Sequence, residues 1–91
     1  DFLVAAYTET TANNIVKIRI SSNSGRTWSD AYPLITLKKS LCISWIVFVI
    51  PDEGPEDNVV RMFYGTYRPE DGKGAAGNMT DINWVKFTVT A

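Results

Sequence analysis

The chain has 91 residues, 45% of them hydrophobic, with three Trp, four Tyr and four Phe and a formal net charge of -1. That length holds one domain, residues 1–91, and its charge balance has no basic excess to release counterions from a nucleic-acid backbone, so no nucleic-acid partner is expected. The absence of His and the single Cys, Cys42, exclude Ser-His-Asp and Cys-His catalytic sets, an intrachain disulfide and a four-thiolate or two-His metal centre, so neither a metal nor another cofactor is expected.

In chain order, Phe2 to Tyr7 is apolar at both alternating positions, which predicts a strand covered on both sides. A polar turn, Thr8 to Asn13, leads to Asn14–Ile20, where Val16, Ile18 and Ile20 share one face and Lys17 and Arg19 the other. Ser21 to Trp28 has turn chemistry: Ser and Asn bond their own backbone, and Gly25 supplies a positive φ. Tyr32 to Leu37 is a short strand, and Pro33 predicts a sheet edge because it lacks the ladder N–H.

Ile43 to Ile50 is again apolar on both faces, predicting a second central strand, and its β-branched content argues against a helix. The whole apolar run from Leu41 to Ile50 is shorter than the ~20 residues that cross a bilayer, so no membrane segment is expected. An acidic turn from Pro51 to Asp57 precedes a strand over Asn58–Tyr64, a Gly-rich charged loop over Gly65–Thr80 and a closing strand over Ile82–Thr90. The pattern is all-β.

Asn14-Ile-Val-Lys-Ile18 returns in residue type as Asn58-Val-Val-Arg-Met62, 44 positions later. Trp28 has its counterpart in Trp84, with 12 more residues intervening, which fall in the Gly65–Thr80 loop. A repeat of this length made of strands is what propeller blades produce. The chain therefore reads as two propeller-like antiparallel blades, about 1–37 and 41–91, with Leu37–Leu41 as the candidate for a further short strand. A small six-stranded β-sandwich is the alternative.

Ser21-x-Asn23-x-Gly25-x-Thr27-Trp28 resembles the Asp-box of the bacterial neuraminidase repeat, with Asn23 where that family usually has Asp. The resemblance implies a sialidase-like β-propeller in which the box is a structural hairpin loop between the third and fourth strands of a blade. It also implies an extracellular or cell-surface setting and a glycan as partner. Two blades cannot close a ring, so the expectation is a homo-oligomer, three copies giving the family's six blades, or further blades in a longer chain. Small fucose-binding lectins resemble this chain in length and blade count, which suggests a lectin-like, non-catalytic carbohydrate-binding module. A fragment of a sialidase-like hydrolase, with Tyr64 or Tyr67 as the nucleophile, is the second reading, and a scaffold for protein interaction the third.

The candidate ligand-binding residues are Arg61, Tyr64, Tyr67 and Trp84: aromatic faces beside one cation suit a polar or sugar ligand. Trp28 is expected to pack under its own turn and Trp45 in the core. The four carboxylates Asp52, Glu53, Glu56 and Asp57 read as a solvated hairpin, having no Ca²⁺-loop spacing. Gly72-Lys-Gly-Ala-Ala-Gly77 spells a dinucleotide fingerprint, but a strand follows it where a helix must. Asn78-Met79-Thr80 is a glycosylation sequon. No catalytic set is expected in the chain as it stands.

Overall fold

A computed structural model describes residues 2–51, 53–54, 56–69 and 79–90. The Gly72–Gly77 fingerprint, Asn78 of the sequon, Asp52 of the acidic turn and most of the Gly-rich loop lie outside the described residues. Among those described, six strands form two three-stranded antiparallel sheets, with no helix long and apolar enough to cross a membrane. The strands are β1 (Leu3–Glu9), β2 (Ala12–Ser21), β3 (Tyr32–Thr36), β4 (Cys42–Val49), β5 (Val59–Tyr67) and β6 (Met79–Thr88). Each sheet is a meander in chain order, β1-β2-β3 and β4-β5-β6. This arrangement fits two blade-like sheets and a small sandwich alike.

The strands lie where alternation and β-branched residues predict them, with four differences. The predicted turn Thr8–Asn13 shrinks to Thr10 and Thr11, because β1 runs on to Glu9 and β2 begins at Ala12. Leu37–Leu41 is a turn closed by the Leu41 N–H to the Lys38 carbonyl, 2.9 Å, and adds no strand. β5 runs on to Tyr67 and β6 begins at Met79, so the predicted loop is shorter than Gly65–Thr80. The doubly apolar β1 and β4 are edge strands of their sheets, and the outward side of β4 is exposed at Val47 and Val49. Apolar residues on both faces record what a strand can bury; they do not say where it sits in the sheet order. β3, with Pro33, is the predicted edge strand.

The sheets pack face to face. Val16 of β2, Ile43 of β4, and Met62 and Tyr64 of β5 form the buried cluster, with Ala6, Leu34, Ile35, Leu37, Ile46 and Val85 against it. The two segments matched in sequence, Asn14–Ile18 and Asn58–Met62, lie in or at the start of β2 and β5, the middle strands. Each middle strand alternates, and its inward residues make this core.

The outward face of the first sheet is polar: Lys17 pairs with Glu9 at 2.6 Å, and Arg19 donates to the Tyr7 hydroxyl at 3.1 Å and the Ser29 carbonyl at 3.2 Å. These groups are solvated, and surface contacts of this kind hold β1 to β2 only weakly.

The turn after β2 is built by its side chains. Ser21 Oγ accepts from the Gly25 N–H at 2.8 Å and the Asn23 N–H at 3.4 Å, and donates to Asn23 Oδ1 at 3.0 Å. Asn23 Oδ1 also accepts from the Thr27 N–H at 2.9 Å, while its amide donates to Thr27 Oγ1 at 2.7 Å. Ser24 and Gly25 take φ of 64° and 89°, the left-handed region that lets the chain reverse. Trp28 folds back over this turn, its indole N–H on the Gly25 carbonyl at 3.2 Å.

Candidate functional site

Register turns the outward face of the second sheet into three rows. Trp45 faces Gly65, which faces Ile82; Val47 faces Phe63, which faces Trp84; Val49 faces Arg61, which faces Lys86. Alternation puts all nine positions on the side away from the first sheet, because Met62 and Tyr64 between them point into the core. Phe63 and Trp84 stack, with ring centroids 6.4 Å apart and planes at 25°. Trp84 is 59% exposed, and Val47 and Ile82 are exposed beside it.

One step along the strands the face becomes charged. The Arg61 guanidinium is ion-paired with Glu56, and Lys86 stands across from Arg61. The hydrogen bond and charge of Arg61, with a further contribution from Lys86, hold the Glu56 carboxyl below the usual carboxylate range. The site is thus an aromatic shelf, Phe63–Trp84, bounded on one side by the row of Trp45, Gly65 and Ile82 and on the other by two cations and one carboxylate. Aromatic faces bury the apolar side of a ring, and charged forks take its hydroxyl or carboxyl groups.

Arg61 and Trp84, of the four residues that the sequence nominates, come together here. Tyr64 does not: it is 9% exposed, on the opposite face and part of the core, where burial pushes its phenol pKa up. Tyr67 lies six residues beyond Arg61 along β5, a span of about 20 Å at ~3.3 Å per residue, and its strand partner is Cys42. Burial first, then the Cys42 thiol, raise its pKa. Phe63, Lys86 and Glu56 belong to the site although the sequence reading does not nominate them. Phe63 is legible, since it shares a face with Arg61 at i+2. The other two need the fold.

Trp28 sits over its own turn as predicted. Trp45, expected in the core, is half-buried on the outward face. Among the described residues no group of three or more His, Cys, Asp or Glu is placed to hold a metal ion.

Glu9 behaves like Glu56, its carboxyl lowered by the hydrogen bond and charge of Lys17. A lowered carboxylate contributes stability that is present above the ordinary glutamate pKa of about 4.3 and is lost as pH falls through the lowered value. Both carboxylates are on the surface, so the effect is small and salt-sensitive. Urea midpoints taken from pH 5 down to pH 3 should therefore fall slightly more for the wild type than for the double substitution Glu9→Gln, Glu56→Gln. Equal slopes would show that neither pair stabilises the fold. Compared with family models, curated proteins and solved structures, the chain matches none.

Proposed function

We propose that this chain is a non-catalytic carbohydrate-binding module that takes a sugar ring on the outward face of β4–β6. The observation that carries this reading is the stack of half-buried Phe63 with exposed Trp84, with Arg61 and Lys86 one row away. A sugar has an apolar ring face to lay on the shelf and hydroxyl or carboxyl groups within reach of the charged row. The built Ser21–Trp28 turn supports kinship with Asp-box propellers, whose blades the two sheets would be. In that reading the ring is completed by other copies or further blades, and the setting is extracellular or at the cell surface.

The test is a glycan array followed by titration of the best binder. Trp84→Ala is expected to weaken binding about tenfold or more, a loss on the order of 1.4 kcal/mol, with an unchanged urea midpoint. Tyr64→Phe should leave binding intact, since that hydroxyl faces the core. A flat array for the wild type, or equal binding by Trp84→Ala, would remove the carbohydrate reading.

A second reading, a protein-covered face, is favoured by the aliphatic residues Val47, Val49 and Ile82 around the shelf, because exposed apolar patches of this kind also mark protein contacts. Accessibility of Trp84 in the assembly found by light scattering separates the two: a shelf covered by a neighbouring chain assigns the face to a protein partner, and an open shelf leaves it to the sugar.

A further inference from the structure

Each three-stranded sheet has two edge strands, and three of the four among the described residues carry a group that discourages a further strand. β3 has Pro33, β6 has Asp81 and Lys86, and β1 ends in Glu9. β4, which reads Cys-Ile-Ser-Trp-Ile-Val-Phe-Val from Cys42 to Val49, has neither a charge nor a Pro. Among the described residues its one neighbour in the sheet is β5.

Register fixes where the main chain of β4 points. The Val89 N–H donates to the Asn58 carbonyl at 2.8 Å, so the even positions of β5 turn their backbone groups to β6 and the odd positions turn theirs to β4. Arg61 and Phe63 thus bond Val49 and Val47, and Ile46 and Phe48, which alternate with these, direct N–H and C=O to the open edge. Their side chains face the first sheet: Ile46 packs against the core, and Phe48 stands opposite Met62. An inward phenylalanine in a finished sandwich is covered, but Phe48 is 44% exposed, and Val47 and Ile50 near it are exposed too. A cleft of about 420 Å³ opens at this end of the edge, lined by Phe2 and Val4 on the side of the first sheet and by Phe48, Ile50 and Val60 on the other.

We propose that the open edge of β4 pairs with β4 of a second copy of this chain, antiparallel about a two-fold axis at Val47. In that register Ile46 and Phe48 exchange main-chain hydrogen bonds with the partner's Phe48 and Ile46, and Val47 meets its own copy as a non-hydrogen-bonded pair. On the outward face Trp45 falls opposite the partner's Val49, an aromatic residue against a β-branched one. No charge of one strand opposes a charge of the other, because β4 has none. The two-fold uses up both β4 edges, so the assembly closes as a dimer, and the Pro33, Lys86 and Glu9 strands discourage further growth. The contact is edge to edge. It leaves both Phe63–Trp84 shelves open, on one face of a continuous six-stranded sheet, and it stands whether or not a sugar binds there.

The test uses the intact chain, with light scattering for mass and NMR for amide exchange. The wild type should be a dimer. Val47→Lys sets two like charges opposite each other on the axis and should weaken that dimer about tenfold or more. The Ile46 and Phe48 amides should exchange at least about tenfold more slowly in the wild type than in Val47→Lys, while those of Val47 and Val49, bonded to β5 in either state, change little. In a Cys42→Ser background, Val47→Cys should form an interchain disulfide with oxidised glutathione, because a non-hydrogen-bonded pair brings the two Cα atoms to about 4.5 Å. Trp84→Cys in the same background should not. A wild type that is monomeric at NMR concentrations, a dimer whose Ile46 and Phe48 amides exchange freely, or cross-linking through Trp84→Cys in place of Val47→Cys would each overturn the proposal.

Discussion

Met62→Ala should lower the stability of this chain by about 2–5 kcal/mol, the range for truncating a buried Met. Met62 is fully buried at the middle of β5. Its strand partners are Phe48 and Val85, and it shares the core cluster with Val16 of the facing sheet. Truncation removes side-chain contacts on three sides and opens a cavity where two sheets meet. A domain of this length has a total stability of roughly 5–14 kcal/mol at ~0.05–0.15 kcal/mol per residue, so the loss is a large fraction of the whole. Urea unfolding should show a lower midpoint with an unchanged slope. Met62→Leu, which keeps volume, should cost less than ~1.5 kcal/mol. A cost below ~1 kcal/mol for the alanine variant would show that the sheets are not held together through this residue.

Ser21→Ala has the next largest expected effect, about 1–3 kcal/mol. The Ser21 side chain is 1% exposed, and its hydroxyl accepts two backbone N–H groups and donates to Asn23. Alanine removes all three bonds and leaves the Gly25 N–H in a half-buried place that water reaches poorly. The left-handed pair Ser24–Gly25 then loses what holds it. Melting temperature should fall by about 4–8 °C per kcal/mol for a domain of this size, and the turn should become the first site of limited proteolysis. Ser21→Thr retains the hydroxyl and should recover most of the loss. Equal melting of the alanine variant and the wild type would mean that the turn is held by its backbone alone.

Arg61 and Phe63, two positions apart, show what part of the site can be read in advance. Period-2 alternation assigns them to one face and Tyr64 to the other, and the cation marks the outward side. Nominating Tyr64 takes proximity in sequence for proximity in space, which a strand does not allow. Trp84 and Lys86 cannot be placed by that reasoning, since their positions beside Phe63 and Arg61 depend on the β5·β6 register. The second sheet's exposed face has the same origin: β4 carries apolar residues on both sides, and nothing local says that β5 covers its flank while its outward side stays open.

Local sequence is enough to specify the all-β class, the alternating strands, the edge position of the Pro33 strand and the turn from Ser21 to Trp28. These follow from forces acting within a few residues: steric preference, side chain-to-backbone hydrogen bonds and the period of 2. The order of strands in each sheet, the row that joins Val47, Phe63 and Trp84, and the place of Tyr64 in the core come from long-range packing. Those depend on which distant segments bury one another, a non-directional apolar gain that many local patterns can satisfy and that only the packed pair of sheets resolves.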